Sequence, residues 1–270
     1  PPDARTRSVL DAVCADAGLT EPRFFAKGQR GVVYVAARAG GGGGAVAIKV
    51  ERTDWAARID QKRMMKRSAD AGEAVAAREA RWLRRCNALG IGPALVAERP
   101  GAVATEYLEG PTVGEALSGG VSKKTLKSAL RDFFRQCRVL DAEGIDKREM
   151  NRCQRHVIVR DDGTCAQLDF ERCTEAARPS NVTGAAQYLS QSWAAGRLEE
   201  LGFTVDVPAV RAACKAYKTA PADAALEAVV AALGLAAPDA DGDDVAPELP
   251  PERVGYARLG AMEAFLKDRT

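Results

Sequence analysis

The chain has 270 residues, with 39 Lys+Arg against 37 Asp+Glu, a formal net charge of +2 and 46% hydrophobic residues. That is the composition of a globular protein with material for one large or two small cores, and so small a net charge gives no global case for nucleic-acid binding. No apolar run approaches the ~20 residues of a membrane span, so no membrane partner is expected, and the start, PPDARTR, has neither an initiator Met nor a signal-type segment, as in a chain trimmed at its beginning.

Residues 6–17 place Val9, Leu10, Val13 and Cys14 at helical spacing, which predicts a short opening helix. After Glu21-Pro22 the pattern changes. FFAKGQRGVVYVAARAGGGGGAVAIKVER predicts two antiparallel strands with a flexible loop at the glycine run 40–44, and AKGQRGVV within it is a glycine-bracketed hairpin. RIDQKRMMKR, residues 58–67, is a local basic run: a solvated face, or a contact for RNA or a ribonucleoprotein. From about Ala69 to Leu89, Val75, Trp82, Leu83 and Cys86 fall at helical steps before a glycine stop. ALVAE and GAVATEYL predict two more strands. The rest is mostly helical: KKTLKSALRDFFRQCRVLDAEG carries one broad apolar stripe, and GAAQYLSQSWAAGRLEELG and AALEAVVAALGL give later helices. The acidic, proline-bearing stretch 237–252 reads as a linker before a last helix ending near Lys267. Seven cysteines without CxxC or His-spaced patterns argue against a disulfide framework and a zinc site, and for an intracellular, reducing compartment.

Several residues carry chemistry. Gly28 and Gly31 lack a Cβ and let backbone amides approach a polyphosphate. Lys49 is a lone charge in the apolar strand AVAIKV and needs a partner, for which Glu79 on the following helix is the candidate. Between residues 144 and 173, Asp146, Glu149, Asn151, the only histidine, His156, and Asp169 lie around the turn Asp161-Asp162-Gly163.

In order, Gly28-x-x-Gly31-x-Val33, VAIK ending at Lys49, the helix Glu79, TEYLEG at 105–110 and Leu-Asp-Phe at 168–170 together resemble the protein-kinase superfamily over residues 22–175. The resemblance implies an α+β, two-lobed fold: an N-lobe over 1–109, a reduced helical C-lobe over 110–236, and the linker and last helix over 237–270. It implies ATP and Mg²⁺ as cofactors. Lys49 would contact the α- and β-phosphates and pair with Glu79; Gly28, Gly31, Val33 and Ala47 would line the nucleotide. Thr105 would be the gatekeeper, Glu106 and Leu108 would offer backbone groups to the adenine, and Asp169 would hold the metal.

The departures narrow the resemblance. Ala26 replaces the first loop glycine, Glu171 replaces the glycine after Asp-Phe, and no Ala-Pro-Glu follows. The pattern GI-x-x-x-E…H-x-I-V…DFE is similar to the small RIO-type and archaeal predicted serine/threonine kinases. In the catalytic loop two alignments compete. Asp146 and Asn151 have the five-residue spacing of the catalytic Asp and the metal-binding Asn, but Asn151 stands eighteen residues before Asp169, where a kinase hairpin needs about thirteen. The shorter count puts His156 at the amide's place as metal ligand and makes Glu149 the catalytic acid, in preference to Asp146. The implied activity is phosphoryl transfer from Mg-ATP to a hydroxyl of a protein or small molecule by an atypical serine/threonine kinase. The alternatives are a small-molecule kinase of the aminoglycoside or choline type, and a pseudokinase acting as an interaction module.

Overall fold

The computed structural model describes residues 2–28, 30–40, 43–52 and 74–236. The basic run 58–67, the acidic stretch 237–252 and the expected last helix lie outside them, as do residues 41 and 42 of the glycine run.

Helix α1 (Ala4–Ala17) opens the chain, with the Asp3 carboxylate accepting the Thr6 N–H at 2.7 Å and Gly18 closing it in the left-handed region. A five-stranded antiparallel sheet follows: β1 (Leu19–Lys27), β2 (Gly31–Arg38), β3 (Val46–Glu51), β4 (Leu95–Arg99) and β5 (Ala102–Glu106), in the order β1-β2-β3-β5-β4. Strand alternation divides β3 cleanly. Val46, Ile48 and Val50 are buried against Leu10 and Val13 of α1, while Ala47, Lys49 and Glu51 project from the other face. Helix α2 (Val75–Asn87) packs on that second face and buries Ala76, Glu79, Ala80, Trp82, Leu83 and Cys86. Its first turn lacks a side-chain cap of its own; instead the Glu51 carboxylate accepts the Ala76 N–H.

Beyond residue 111 the structure is mainly helical. Helix α3 (Val113–Ser118) starts with a Thr112–Glu115 capping box, and α4 (Lys123–Ala142) buries Leu126, Leu130, Phe133, Phe134, Cys137 and Leu140 along one stripe. Strand β6 (Ile145–Asp146), a 3₁₀ helix (Met150–Arg155), the hairpin β7 (Val157–Val159) and β8 (Cys165–Gln167), and β9 (Thr174–Glu175) carry the segment of interest. Helices α5 (Asn181–Leu189), α6 (Ser192–Glu200), α7 (Val207–Thr219) and α8 (Asp223–Ala232) complete the described chain. Among the described residues the five-stranded sheet is confined to the first 106 positions and two small two-stranded sheets lie after it, so none of these sheets runs through both parts.

The crossing between the two parts is tightly made. Val159 donates its N–H to the Pro111 carbonyl at 2.8 Å, Thr112 forms a bridge with Ile158, and at Gly110 (φ +124°) a Cβ would stand 2.2 Å from the Val159 carbonyl oxygen. Only glycine fits there. Behind the segment 144–173, Asp141 is a half-buried hub. Its carboxylate accepts from the Asn181 N–H at 2.9 Å, the Asn181 side chain at 2.7 Å, the Val182 N–H at 3.2 Å and the Tyr217 hydroxyl at 3.0 Å. Asn181 in turn accepts the Lys147 N–H at 2.9 Å and donates to the Ile145 carbonyl at 2.6 Å, so the hub fixes the backbone from residue 145 to 147.

Two expectations need correction, and one helix had none. The stretch around the glycine loop forms three strands, not two, because β1 begins at Leu19. Pro22 is tolerated there on an edge strand, between Thr20 and Arg23, where the register shifts. GAAQYLSQSWAAGRLEELG is two helices, α5 and α6, because Ser190 ends the first with its N–H on the Ala186 carbonyl. Helix α7 carries no expectation from periodicity because Pro208 interrupts it. Proline sits here in the first turn, where no N–H is needed, and Asp206 caps the helix at 2.9 Å.

Candidate active site

Lys49 is the centre of the site. Its ammonium meets Glu79 at 2.8 Å, Glu171 at 2.9 Å and Asp169 at 3.1 Å. Burial alone would lower its pKa; the three carboxylates outweigh it and hold the ammonium well above the ordinary lysine range. The Lys49–Glu79 pair follows from two periodicities, since strand alternation aims Lys49 away from α1 and helical spacing puts Glu79 on the buried face of α2. Gly31 permits this packing, because a Cβ on it would lie 3.1 Å from the Lys49 side chain and 3.2 Å from the Val50 carbonyl.

Glu171 was legible in the sequence only as a departure from glycine. In the structure it is a full member of the site: 5% exposed, it pairs with Lys49 and with Arg30 from the turn between β1 and β2. The glycine turn and the Asp-Phe-Glu segment are thus tied through one carboxylate. Gly28 closes that turn, donating its N–H to the Gly31 carbonyl at 2.8 Å.

The hairpin β7–β8 pairs Val157 with Gln167 and Val159 with Cys165, turning at Gly163 (φ +77°) with Asp162 accepting the Thr164 N–H at 2.8 Å. Leu168 then donates to the His156 carbonyl at 2.8 Å, which returns Asp169 beside His156, with Nδ1 to Oδ2 at 3.6 Å. Donor atoms of Glu149, His156 and Asp169 all lie within 4.8 Å of one another. Arg148, Glu149 and Asp169 all have positive φ, at 62°, 55° and 65°, a conformation that costs a non-glycine residue energy and is retained where surrounding structure enforces it. Burial raises the Asp169 carboxyl, but Lys49, His156 and Lys147 more than reverse this and bring it down to about 2. His156 is lowered, first by burial and then by Lys147.

The other candidates fall elsewhere. Asp146 is buried and accepts the Arg148 N–H at 2.9 Å, serving the loop backbone. Asn151 is exposed on the 3₁₀ helix, its backbone beside Gly184 of α5. Of the two alignments, the shorter is the one whose residues the fold brings to Asp169. Thr105 pairs with Ala47 across β3 and β5, Val33 pairs with Lys49 across β2 and β3, and Glu106 and Leu108 lie at and just beyond the end of β5.

Periodicity gave no signal for two further charges. Lys147, only 4% exposed, sets its ammonium 5.1 Å from the centroid of the Phe170 ring. Arg172 pairs with Glu149. Both depend on contacts across the loop that a linear reading does not contain.

No family model matches the chain, and no curated protein does. Solved structures do. The Rio2 kinase of Chaetomium thermophilum in its ADP/Mg²⁺-phosphoaspartate complex aligns with 79% of this chain and 75% of its own at 14% identity, with a TM-score of 0.50. The fold is protein-kinase-like. Two other matches are a second structure of that Rio2 kinase (TM-score 0.47, 14% identity, 67% of this chain) and the Rv3197–erythromycin complex of Mycobacterium tuberculosis (TM-score 0.46, 16% identity, 74% of this chain). The chain spans 57% and 60% of the lengths of those two. In this kinase-like frame the strand lysine, the helix glutamate and the Asp-Phe aspartate meet at one point. None of the seven cysteines is paired in a disulfide, and among the described residues no helix is long and apolar enough to cross a membrane.

Proposed function

We propose that this chain is an ATP-dependent, Mg²⁺-requiring atypical kinase of the RIO-like serine/threonine type, with nucleotide bound between an N-lobe over 1–109 and a reduced C-lobe over 110–236. The observation that carries the reading is the convergence of Glu79 and Asp169 on Lys49 from two separate parts of the fold. Phosphoryl transfer asks a protein mainly for positioning and for charge placed where the transition state is electron-rich. Lys49 supplies a fixed cation for the α- and β-phosphates, and Glu79 holds it in place. Thr105 is the gatekeeper, and backbone groups at Glu106 and Leu108 receive the adenine. Asp169 and His156 are placed to hold a divalent ion, and the donor set of one imidazole and two carboxylates fits one. When bound, that ion would neutralise charge on the transferred phosphoryl group. Glu149 orients the acceptor hydroxyl and takes its proton.

One observation favours a second reading, a nucleotide-binding interaction module: Glu171 already occupies Lys49 and Arg30, the cations that phosphates would seek. Radiolabelled ATP turnover separates the two. On the kinase reading Asp169→Asn removes the carboxylate that anchors the ion and abolishes turnover, while Glu149→Gln lowers it by about 10²-fold or more with nucleotide binding retained. Protection of the wild type by ATP against thermal unfolding, with no turnover in any form of the chain, would establish the module instead.

A further inference from the structure

The donor set at Asp169 differs from a magnesium site in one respect: it contains nitrogen. Mg²⁺ is a hard ion that prefers oxygen and gives up its water reluctantly, whereas imidazole suits the first-row transition ions, whose affinity for mixed nitrogen and oxygen sites is higher. His156 Nδ1 and Asp169 Oδ2 are 3.6 Å apart, and Glu149 lies within the same 4.8 Å cluster. Two ligands bound at about 2.1 Å to one ion are roughly 3.0–3.5 Å apart, so a small adjustment lets both reach a shared ion. The surrounding charges allow it. Arg172 engages one oxygen of Glu149; Lys49, answered by Glu79 and Glu171, touches Asp169 through Oδ1 at 3.1 Å and leaves Oδ2 to face His156; and Lys147 sets its ammonium over the Phe170 ring. The His156 backbone is held on both sides, since its carbonyl accepts the Leu168 N–H and its N–H reaches the Cys153 carbonyl at 2.9 Å, which fixes where the side chain starts.

We infer that Glu149, His156 and Asp169 form a binding site selective for a transition-type divalent cation, of which Mn²⁺ is the probe, over Mg²⁺, with the His156 imidazole as a direct ligand. The inference rests on the kinase reading for the role of the ion, which it gives to a transition-type cation where that reading names Mg²⁺, and on the geometry for the site itself.

The chain contains a single histidine, so any imidazole nitrogen coupled to a bound ion must belong to His156. The test is pulsed EPR of Mn²⁺ added to the whole protein, with and without ADP, in natural-abundance and ¹⁵N-histidine-labelled samples. Labelling separates histidine nitrogen from that of adenine. The expected result is a ¹⁴N coupling that changes to ¹⁵N on labelling and is absent from His156→Asn. In competition, the Mg²⁺ concentration that displaces half the Mn²⁺ should fall about tenfold or more in His156→Asn. Mn²⁺ bound with no histidine coupling, no Mn²⁺ binding, or an unchanged Mg²⁺ competition overturns the inference. If His156→Asn does not fold, the labelled wild type decides alone. Thermal protection by ADP without histidine coupling sinks this inference and leaves the kinase reading intact; coupling with no ADP effect does the reverse.

Discussion

Two charge clusters meet at Asp169, and they are built differently. On the sheet side, Lys49, Glu79, Glu171 and Arg30 are interlocked and largely closed to solvent, with Glu79 and Glu171 at 9% and 5% exposed. On the loop side, Glu149 is 36% and His156 28% exposed, and Glu149 is answered by one arginine. Buried charge is retained only where every charge has a partner, so the first cluster sets geometry. The second leaves donor atoms accessible, which is what chemistry on an incoming group requires. Asp169 is fixed by the first and used by the second.

The comparison can be broken most directly at Glu171. Replacing it with Gln removes one of three carboxylates on Lys49 and an ion pair of Arg30 in a buried setting, so unfolding free energy should fall by about 1–3 kcal/mol, measured by urea denaturation. Nucleotide affinity should rise, because a carboxylate competing with phosphate is gone. A fall in affinity with stability unchanged would instead make Glu171 part of the ligand-binding set.

Acid sharpens the contrast next. Asp169 is depressed from 3.8 to about 2 in the fold. Its contribution, about 2 kcal/mol, is therefore present above pH 3.8 and is lost as pH falls toward 2. His156 is also depressed, from 6.5, so the unfolded chain binds its proton first and stability begins to decline as pH drops below 6.5. A pH series of thermal melts should show that earlier decline in the wild type and not in His156→Asn. The smallest effect is expected at Arg172. Its pair with Glu149 is more than one-third exposed on both sides, so Arg172→Gln should change stability by less than about 1 kcal/mol.

How much of this was legible depended on sequence distance. The Lys49–Glu79 pair and the stripe of α4 follow from period-2 and period-3.6 patterns, and the hairpin count alone placed His156 beside Asp169. Asn151 competed only through a familiar spacing, and the fold leaves it on the surface. What was hidden came from contacts between distant segments. Arg30 and Glu171 are 141 positions apart, and Asp141 and Tyr217 are 76. No local pattern announces such a pair. At Pro22 and Pro208 proline stands where no backbone hydrogen is needed, so it breaks the pattern without breaking the strand or the helix.

The missing Cβ of Gly110 has a mechanical consequence. The chain after it is stitched to β7 by the Val159–Pro111 hydrogen bond and the Thr112–Ile158 bridge, so residues 110–112 and the hairpin bearing Asp169 must travel as one piece. Upstream, the Tyr107 N–H is held by the Ala45 carbonyl at 2.9 Å, so if the two parts turn against each other as the kinase reading proposes, the turn falls to residues 108 and 109. Such a turn would work as a lever with a short arm, and its readable coordinate would be the separation of Lys49 and Asp169, 3.1 Å in this structure.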